Sequence, residues 1–160
     1  MPTFFCLVIL FLIWFTYERK KNDTDLSRSK AFWERESKAV YVPRQSMDDL
    51  KLIDLSEDII PKALAASSEE LKDAVSELHD LSGKKICDLS QYSNTDLRLK
   101  YGTGNFAELS AADNNYTRLV QWSGKLLSYL DKEDRIADAA DFLTFLRDNG
   151  IRSHLIDKYL

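Results

Sequence analysis

The pattern of apolar and polar positions changes character three times along the chain. From Pro2 to Tyr17 the chain reads PTFFCLVILFLIWFTY, with no charge and no Gly. As a helix, Met1 to Tyr17 is about 25 Å long, just short of the roughly 30 Å hydrocarbon core of a bilayer. It stops against Glu18-Arg19-Lys20-Lys21, charges that are costly to draw into lipid. Residues 1–17 therefore read as a transmembrane anchor. Two other readings compete. A cleaved signal peptide wants a basic lead and a small-x-small site after the apolar run, and neither is here. A helix buried in the body of the domain fits poorly beside so polar a flank.

Residues 18–45 form a polar juxtamembrane stalk, helical at least in part from Asp23 to Val42, with Asp23 or Asp25 as cap. Its apolar members include Leu26, Phe32, Trp33, Ala39 and Val40. Trp33 reads in two ways: dipped into lipid headgroups, or packed on the domain. Val42-Pro43 ends the segment, since a residue before Pro avoids the α region. Residues 46–66 follow neither the helical nor the strand period and read as an extended linker laid across a helical body.

Residues 67–160 are the helical domain. Ser67 and Glu70 have capping-box spacing; Leu71, Ala74, Val75, Leu78 and Leu81 then recur at helical intervals, and Gly83 stops the helix. A short buried turn follows at Lys84 to Leu89. The next helix is capped by Asn94 or Thr95, carries Asp96 in its first turn and ends at Gly102. One more short turn lies between Gly104 and Ser110. Two longer helices come next. Ala112 to Leu130 has the stripe Tyr116, Leu119, Val120, Ser123, Leu126, Leu127 and Leu130; Glu133 to Asp148 has Ile136, Ala139, Ala140, Leu143 and Leu146. So short a connection predicts an antiparallel hairpin. Ile151, Leu155, Ile156 and Tyr159 begin a further pattern with an exposed apolar stripe. The fold class is therefore all-α.

Composition and charge sharpen this picture. Only five Gly and three Pro occur in 160 residues, as a mostly helical chain requires. From Glu18 to Arg44 there are eight basic and five acidic residues; from Gln45 onward there are fourteen basic and twenty-one acidic. An acidic domain lacks the basic footprint of nucleic-acid binding. The basic stretch beside the anchor suits an anionic leaflet, with Arg19, Lys20, Lys21 and Trp33 at the membrane interface. Basic charge on that flank alone orients the amino terminus outside and the domain in the cytoplasm. Two cysteines, Cys6 and Cys87, give no disulfide framework within the chain, because one lies in the apolar stretch.

From the Tyr116 turn to Ile151 is thirty-five residues, near the period of a tetratricopeptide repeat, although its full signature of Gly and Pro is absent. The wider order of motifs runs Phe32-Trp33-Glu34-Arg35-Glu36, a Leu/Ile-rich segment ending in Pro61, Lys85-Ile86, and Ser93-Asn94-Thr95-Asp96-Leu97. Lys100-Tyr101-Gly102 and Asp113-Asn114-Asn115-Tyr116-Thr117 complete it. In this order the chain resembles a family of membrane-anchored proteins of Firmicutes. The resemblance implies an amino-terminal hydrophobic helix leading to a tetratricopeptide-like domain, with one helical hairpin and the start of another helix present here.

Candidate chemistry is sparse. His79 and His154 have no ligand set at metal spacing, so no metal is expected, and nothing implies a cofactor. Cys87 lacks an activating motif and reads as a buried thiol. Tyr101-Gly102-Thr103-Gly104 lacks the Lys-Ser/Thr of a phosphate loop. Glu133-Asp134 answers a helix dipole, Asp48-Asp49 is a solvated pair, and Asn115-Tyr116-Thr117 fits a glycosylation sequon. The more informative set is Asn114, Asn115, Arg118, Gln121, Trp122 and Lys125 on one helix. It reads as a partner-binding face or as an ordinary solvated face with one exposed Trp. In the first case Trp122→Ala weakens binding and leaves the melting temperature alone; a large loss of stability marks Trp122 as core.

Two functions follow. One is a membrane-anchored, non-enzymatic adaptor that holds a cytoplasmic protein, or a second copy of itself, at the lipid surface. The other is a small membrane-bound enzyme, or an accessory subunit of one, with its site completed by a partner.

Overall fold

The computed structural model describes residues 2–62 and 68–160. Among these, five α-helices carry the fold: α1 (Pro2–Val40), α2 (Glu69–Leu81), α3 (Asn94–Tyr101), α4 (Phe106–Lys132) and α5 (Ala140–Asp148). Single 3-10 turns lie at Glu57–Ile59, Thr103–Asn105 and Ile136–Ala139. The architecture is all-α. The described residues form no strand, only one isolated antiparallel bridge between Ile53 and Ile86.

The 39 residues of α1 form one unbroken helix, about 58 Å long at 1.5 Å per residue. The division between residues 17 and 18 therefore has no counterpart in the backbone. No Gly interrupts this run, and Pro2 sits in the first turn, where a missing N–H costs nothing. Thr16 and Thr24 turn their hydroxyls back onto carbonyls of the preceding turn, at 2.8 Å to Leu12 and 2.8 Å to Lys20.

The body is built around α2 and α4. Leu71, Ala74, Val75, Leu78 and Leu81, the stripe expected from spacing, are all buried on α2. They pack with Leu119, Leu126, Leu127 and Leu130 of α4 in the larger core cluster. The two helices run antiparallel: Ser68 donates its backbone N–H to Glu133 at 3.3 Å, while Arg118 reaches back to Glu77 at 2.7 Å. A smaller cluster, Cys87, Leu89, Leu97, Tyr101, Leu109 and Ala112, lies between α3 and the start of α4.

Residues 46–62 run as an extended strap over both clusters. Met47 and Leu50 cover the smaller one, and Ile53, Leu55 and Ile60 sink into the larger. The strap is pinned midway, where Ile53 donates to the carbonyl of Ile86 at 2.8 Å.

Several local expectations are corrected. The α2 cap is Ser68, whose hydroxyl accepts from Leu71 N–H at 3.3 Å; Ser67 lies outside the described residues. The α3 cap is Ser93, in a reciprocal capping box with Asp96, so neither Asn94 nor Thr95 is needed for it. Thr95 instead donates to Glu36 of α1. The short turn expected before Ser110 is absorbed into α4.

The expected α4–α5 hairpin is also displaced, since the main partner of α4 is α2. Asp134 turns the chain with φ 55°, and Arg135 pairs with both Glu133 and Asp138. The backbone is held in a tight turn there, and α5 is left only nine residues in which to bury Phe142 and Leu146. Residues 151–160 form turns rather than a further helix. Ile151 and Ile156 are buried, and Tyr159 donates its hydroxyl to Asp131 at 3.0 Å. Only Leu155 of the expected terminal stripe is largely exposed, beside Gly124.

Two glycines with positive φ separate backbone strain from crowding. Gly83 has φ 71° with open space around it, whereas Gly102 has φ 83° and ψ 152°, and a β-carbon there would stand 2.1 Å from the Pro43 carbonyl oxygen. Gly83→Ala is expected to cost about 1 kcal/mol, the ordinary penalty for a left-handed L-residue. Gly102→Ala should cost clearly more and loosen residues 41–46, as read by urea denaturation and by faster amide exchange at Gln45.

Candidate interaction surfaces

Three surfaces merit description. The first is α1 itself. Every large apolar side chain from Phe4 to Tyr17 is exposed, from 40 % at Val8 to 71 % at Phe5, so the helix is apolar on all sides and packs on nothing. Fourteen residues from Phe4 to Tyr17 make about 21 Å of helix. Among the described residues no helix is long and apolar enough to cross a membrane. Arg19 stands 6.0 Å over the Phe15 ring, and Lys20 and Lys21 follow as exposed cations.

Trp33 is 66 % exposed and does not pack on the body, against one of its two sequence readings. The other is restricted by geometry. An unbroken helix puts Trp33 about 20 Å beyond Lys20 along its axis, so the two share one headgroup layer only if α1 lies flat.

The far end of α1 is socketed into the body. Ala39 is buried, and Thr103 donates its hydroxyl to the carbonyls of Ala39 and Val40 at 3.0 and 3.1 Å. Arg35 pairs with Asp96, and Glu36 with Arg98 at 3.7 Å. Asn105, wholly buried, donates to the carbonyls of Gln45 and Tyr101 at 2.7 and 2.8 Å and accepts from Arg44. No expectation from sequence brought these residues together as a joint between α1 and the body. The only local signal was Gly102, whose stop announced a corner.

The second surface is the polar side of α4, where Asn115, Arg118, Gln121, Trp122 and Lys125 share one helix. They are not an open groove. Asn115 donates to the carbonyl of Lys85 at 3.0 Å, and Arg118 binds Glu77 and Asp80 of α2 at 2.7 and 2.8 Å. Hydrogen bonds from Lys84 and Arg118 hold the Asp80 carboxyl below the usual aspartate range. Trp122 is half-buried against the larger core cluster, with the Lys125 ammonium 3.8 Å from its ring centroid. Gln121 and Lys125 remain exposed. Ser123 beside them is buried, its hydroxyl without a hydrogen-bond partner among the described residues.

The third surface is a shallow depression formed by Asp88, Tyr116, Gln121, Gly150 and Arg152. Burial, then the charge of Asp88, pushes the Tyr116 hydroxyl above its ordinary pKa, and burial does the same to the Cys87 thiol. Both groups are therefore protonated at neutral pH. Among the described residues no group of three or more His, Cys, Asp or Glu side chains is placed to hold a metal.

Two outcomes follow. Because Trp122 is half-buried against the core, Trp122→Ala should lower stability by about 2 kcal/mol, a half-buried share of the usual Trp loss, read by urea denaturation. The pH dependence follows from lowered carboxylates. Asp80 and Asp96 have folded-state pKa values below the ordinary 3.8, so the unfolded chain takes up protons first as pH falls. Their stabilisation is complete above about pH 5 and disappears as pH drops through the folded values. The melting temperature should therefore fall between pH 5 and pH 3, and Arg118→Leu should make that fall smaller. No protein-family model, curated protein or solved structure matches the chain, so its function is read from its own surfaces.

Proposed function

We propose that the chain is a non-enzymatic adaptor anchored in a membrane by the start of α1, with its helical body on the cytoplasmic side holding a protein partner near the lipid. One observation carries this reading: fourteen residues of helix, Phe4 to Tyr17, expose apolar side chains in every direction and have no cover from the body. In water such a surface is far larger than the apolar patches soluble proteins leave open. Lipid covers all sides of a helix at once, which a single protein groove does not.

The shortness of the run is accommodated by known means. Arg19, Lys20 and Lys21 have long stems that lie along the apolar helix while their charges reach the headgroups, and a bilayer thins locally around a short segment. Thr16 satisfies its hydroxyl internally, on Leu12 and Ile13, so it adds no unpaired donor in lipid. The basic residues of the flank (Arg19, Lys20, Lys21, Arg28 and Lys30) favour the cytoplasmic side for everything after Tyr17. The polar residues of α4, mostly tied within the body, leave Gln121 and Lys125 outward as contacts for a partner.

Flotation tests the anchor. The full chain mixed into lipid vesicles should rise with them in a density gradient and resist extraction by high salt, while a variant lacking residues 2–17 should stay at the bottom and remain helical. A full chain that stays at the bottom, or leaves the vesicles in salt, would falsify the proposal.

A further inference from the structure

The α1 helix carries a second exposed apolar feature, distinct from its anchor. Leu26, Trp33 and Val40 are 61 %, 66 % and 54 % exposed and are spaced seven residues apart. Seven residues is almost two full helical turns, so the three side chains form one stripe about 21 Å long. Ser29 and Ser37, both small, lie beside Trp33 on the same side. Phe32 braces the indole edge-on, with ring centroids 5.4 Å apart and planes at 78°.

Neither the body nor lipid covers this stripe. The socket uses Glu36 and Ala39, about 60° and 120° around the helix from Trp33, and the body leaves the indole open. Lipid is excluded by distance, on the reading that α1 is anchored through residues before Glu18. On an upright helix Leu26 is about 14 Å past Tyr17, and Trp33 about 24 Å past it. The headgroup layer extends only about 5–8 Å beyond the hydrocarbon.

We propose that the Leu26–Trp33–Val40 stripe is the seam of a parallel α1–α1 pair between two copies of this chain. Two copies anchored in one membrane present their α1 helices parallel and at the same height, so each residue of the stripe meets its own counterpart. Seven-residue spacing keeps such a seam facing its partner along a slight left-handed supercoil. The small serines allow close approach on either side of the indoles. Charges are complementary as well. With the stripe at the seam, Asp25 and Lys30 take the flanking positions whose side chains meet across a parallel pair, acid from one copy against base from the other. In the single chain Asp25 has, among the described residues, a loose, exposed contact with Arg28 at 3.7 Å. Confinement to the membrane raises the effective concentration of one copy for the other, which lets so short a seam suffice.

Cysteine cross-linking in vesicles tests this. In the full chain carrying Cys6→Ser, with Cys87 left buried, single cysteines are placed on the seam side (Leu26→Cys, Ser29→Cys, Ser37→Cys) and on the opposite side (Thr24→Cys, Arg28→Cys, Ala31→Cys). Under mild oxidation the first three should form disulfide dimers several-fold faster than the second three. Adding Asp25→Lys to Leu26→Cys should slow cross-linking, because lysines then meet across the pair, and adding Lys30→Asp as well should restore it. Equal rates at all six positions in protein that floats with vesicles overturn the seam and leave the anchor standing. Protein that does not float removes the anchor and the seam with it.

Discussion

The carboxamide of Asn105 sets the geometry of the whole molecule. It is wholly buried at the corner between α3 and α4, and its amide donates to the carbonyls of Gln45 and Tyr101. The Tyr101 carbonyl also accepts from the Gln45 N–H at 2.9 Å, so side chain and backbone together hold the chain leaving α1 against the end of α3. Gly102 permits the approach, since any side chain there would strike the Pro43 carbonyl. Thr103 then holds the last turn of α1 by two carbonyls. Remove the corner and α1 has no fixed direction relative to the body.

From that corner the chain has to cross to the α2–α4 core, and it does so extended. Residues 46–62 bury side chains at irregular intervals, Met47 and Leu50 over the smaller cluster and Ile53, Leu55 and Ile60 in the larger, with no backbone period behind them. That is why hydrophobic pattern places the segment on the body and says little about its path. The stripe of α2 was fully legible, since a helix packed along one side must repeat. The caps were less so: Ser67, Ser68, Ser93, Asn94 and Thr95 offer near-equivalent oxygens, and the choice falls to distant partners such as Glu133 and Glu36. The exchange of α5 for α2 as the partner of α4 is of the same kind. Sequence proximity favours the hairpin, while the turn at Asp134 and the longer apolar stripe of α2 favour the distant pair.

The polar side of α4 shows the matching limit for sites. Helical spacing places Asn115, Arg118, Gln121, Trp122 and Lys125 on one helix, but it cannot say which neighbour stands within reach. Glu77 and Asp80, one turn apart on α2, occupy Arg118 and turn an apparent groove into a seam inside the body. The apolar start of α1 is the opposite case. Its lack of a polar side is a property of composition alone, and no neighbour was needed to read it.

What sequence could not convey is that the apolar start and the polar continuation of α1 are one unbroken helix, and the consequence is directional. A flexible linker of twenty residues spreads its ends over roughly 25 Å, close to the 30 Å that the same residues span as a helix. Reach is therefore nearly the same either way. The difference lies in rotation. A coil lets the body face any direction, whereas a helix joined through Glu36, Ala39 and Thr103 fixes both height and azimuth. Fixed azimuth presents the same side of every copy, which is wasted on a tether meant only to restrain. It matters when one side must meet a counterpart, and the side that carries an exposed apolar stripe here is that of Leu26, Trp33 and Val40.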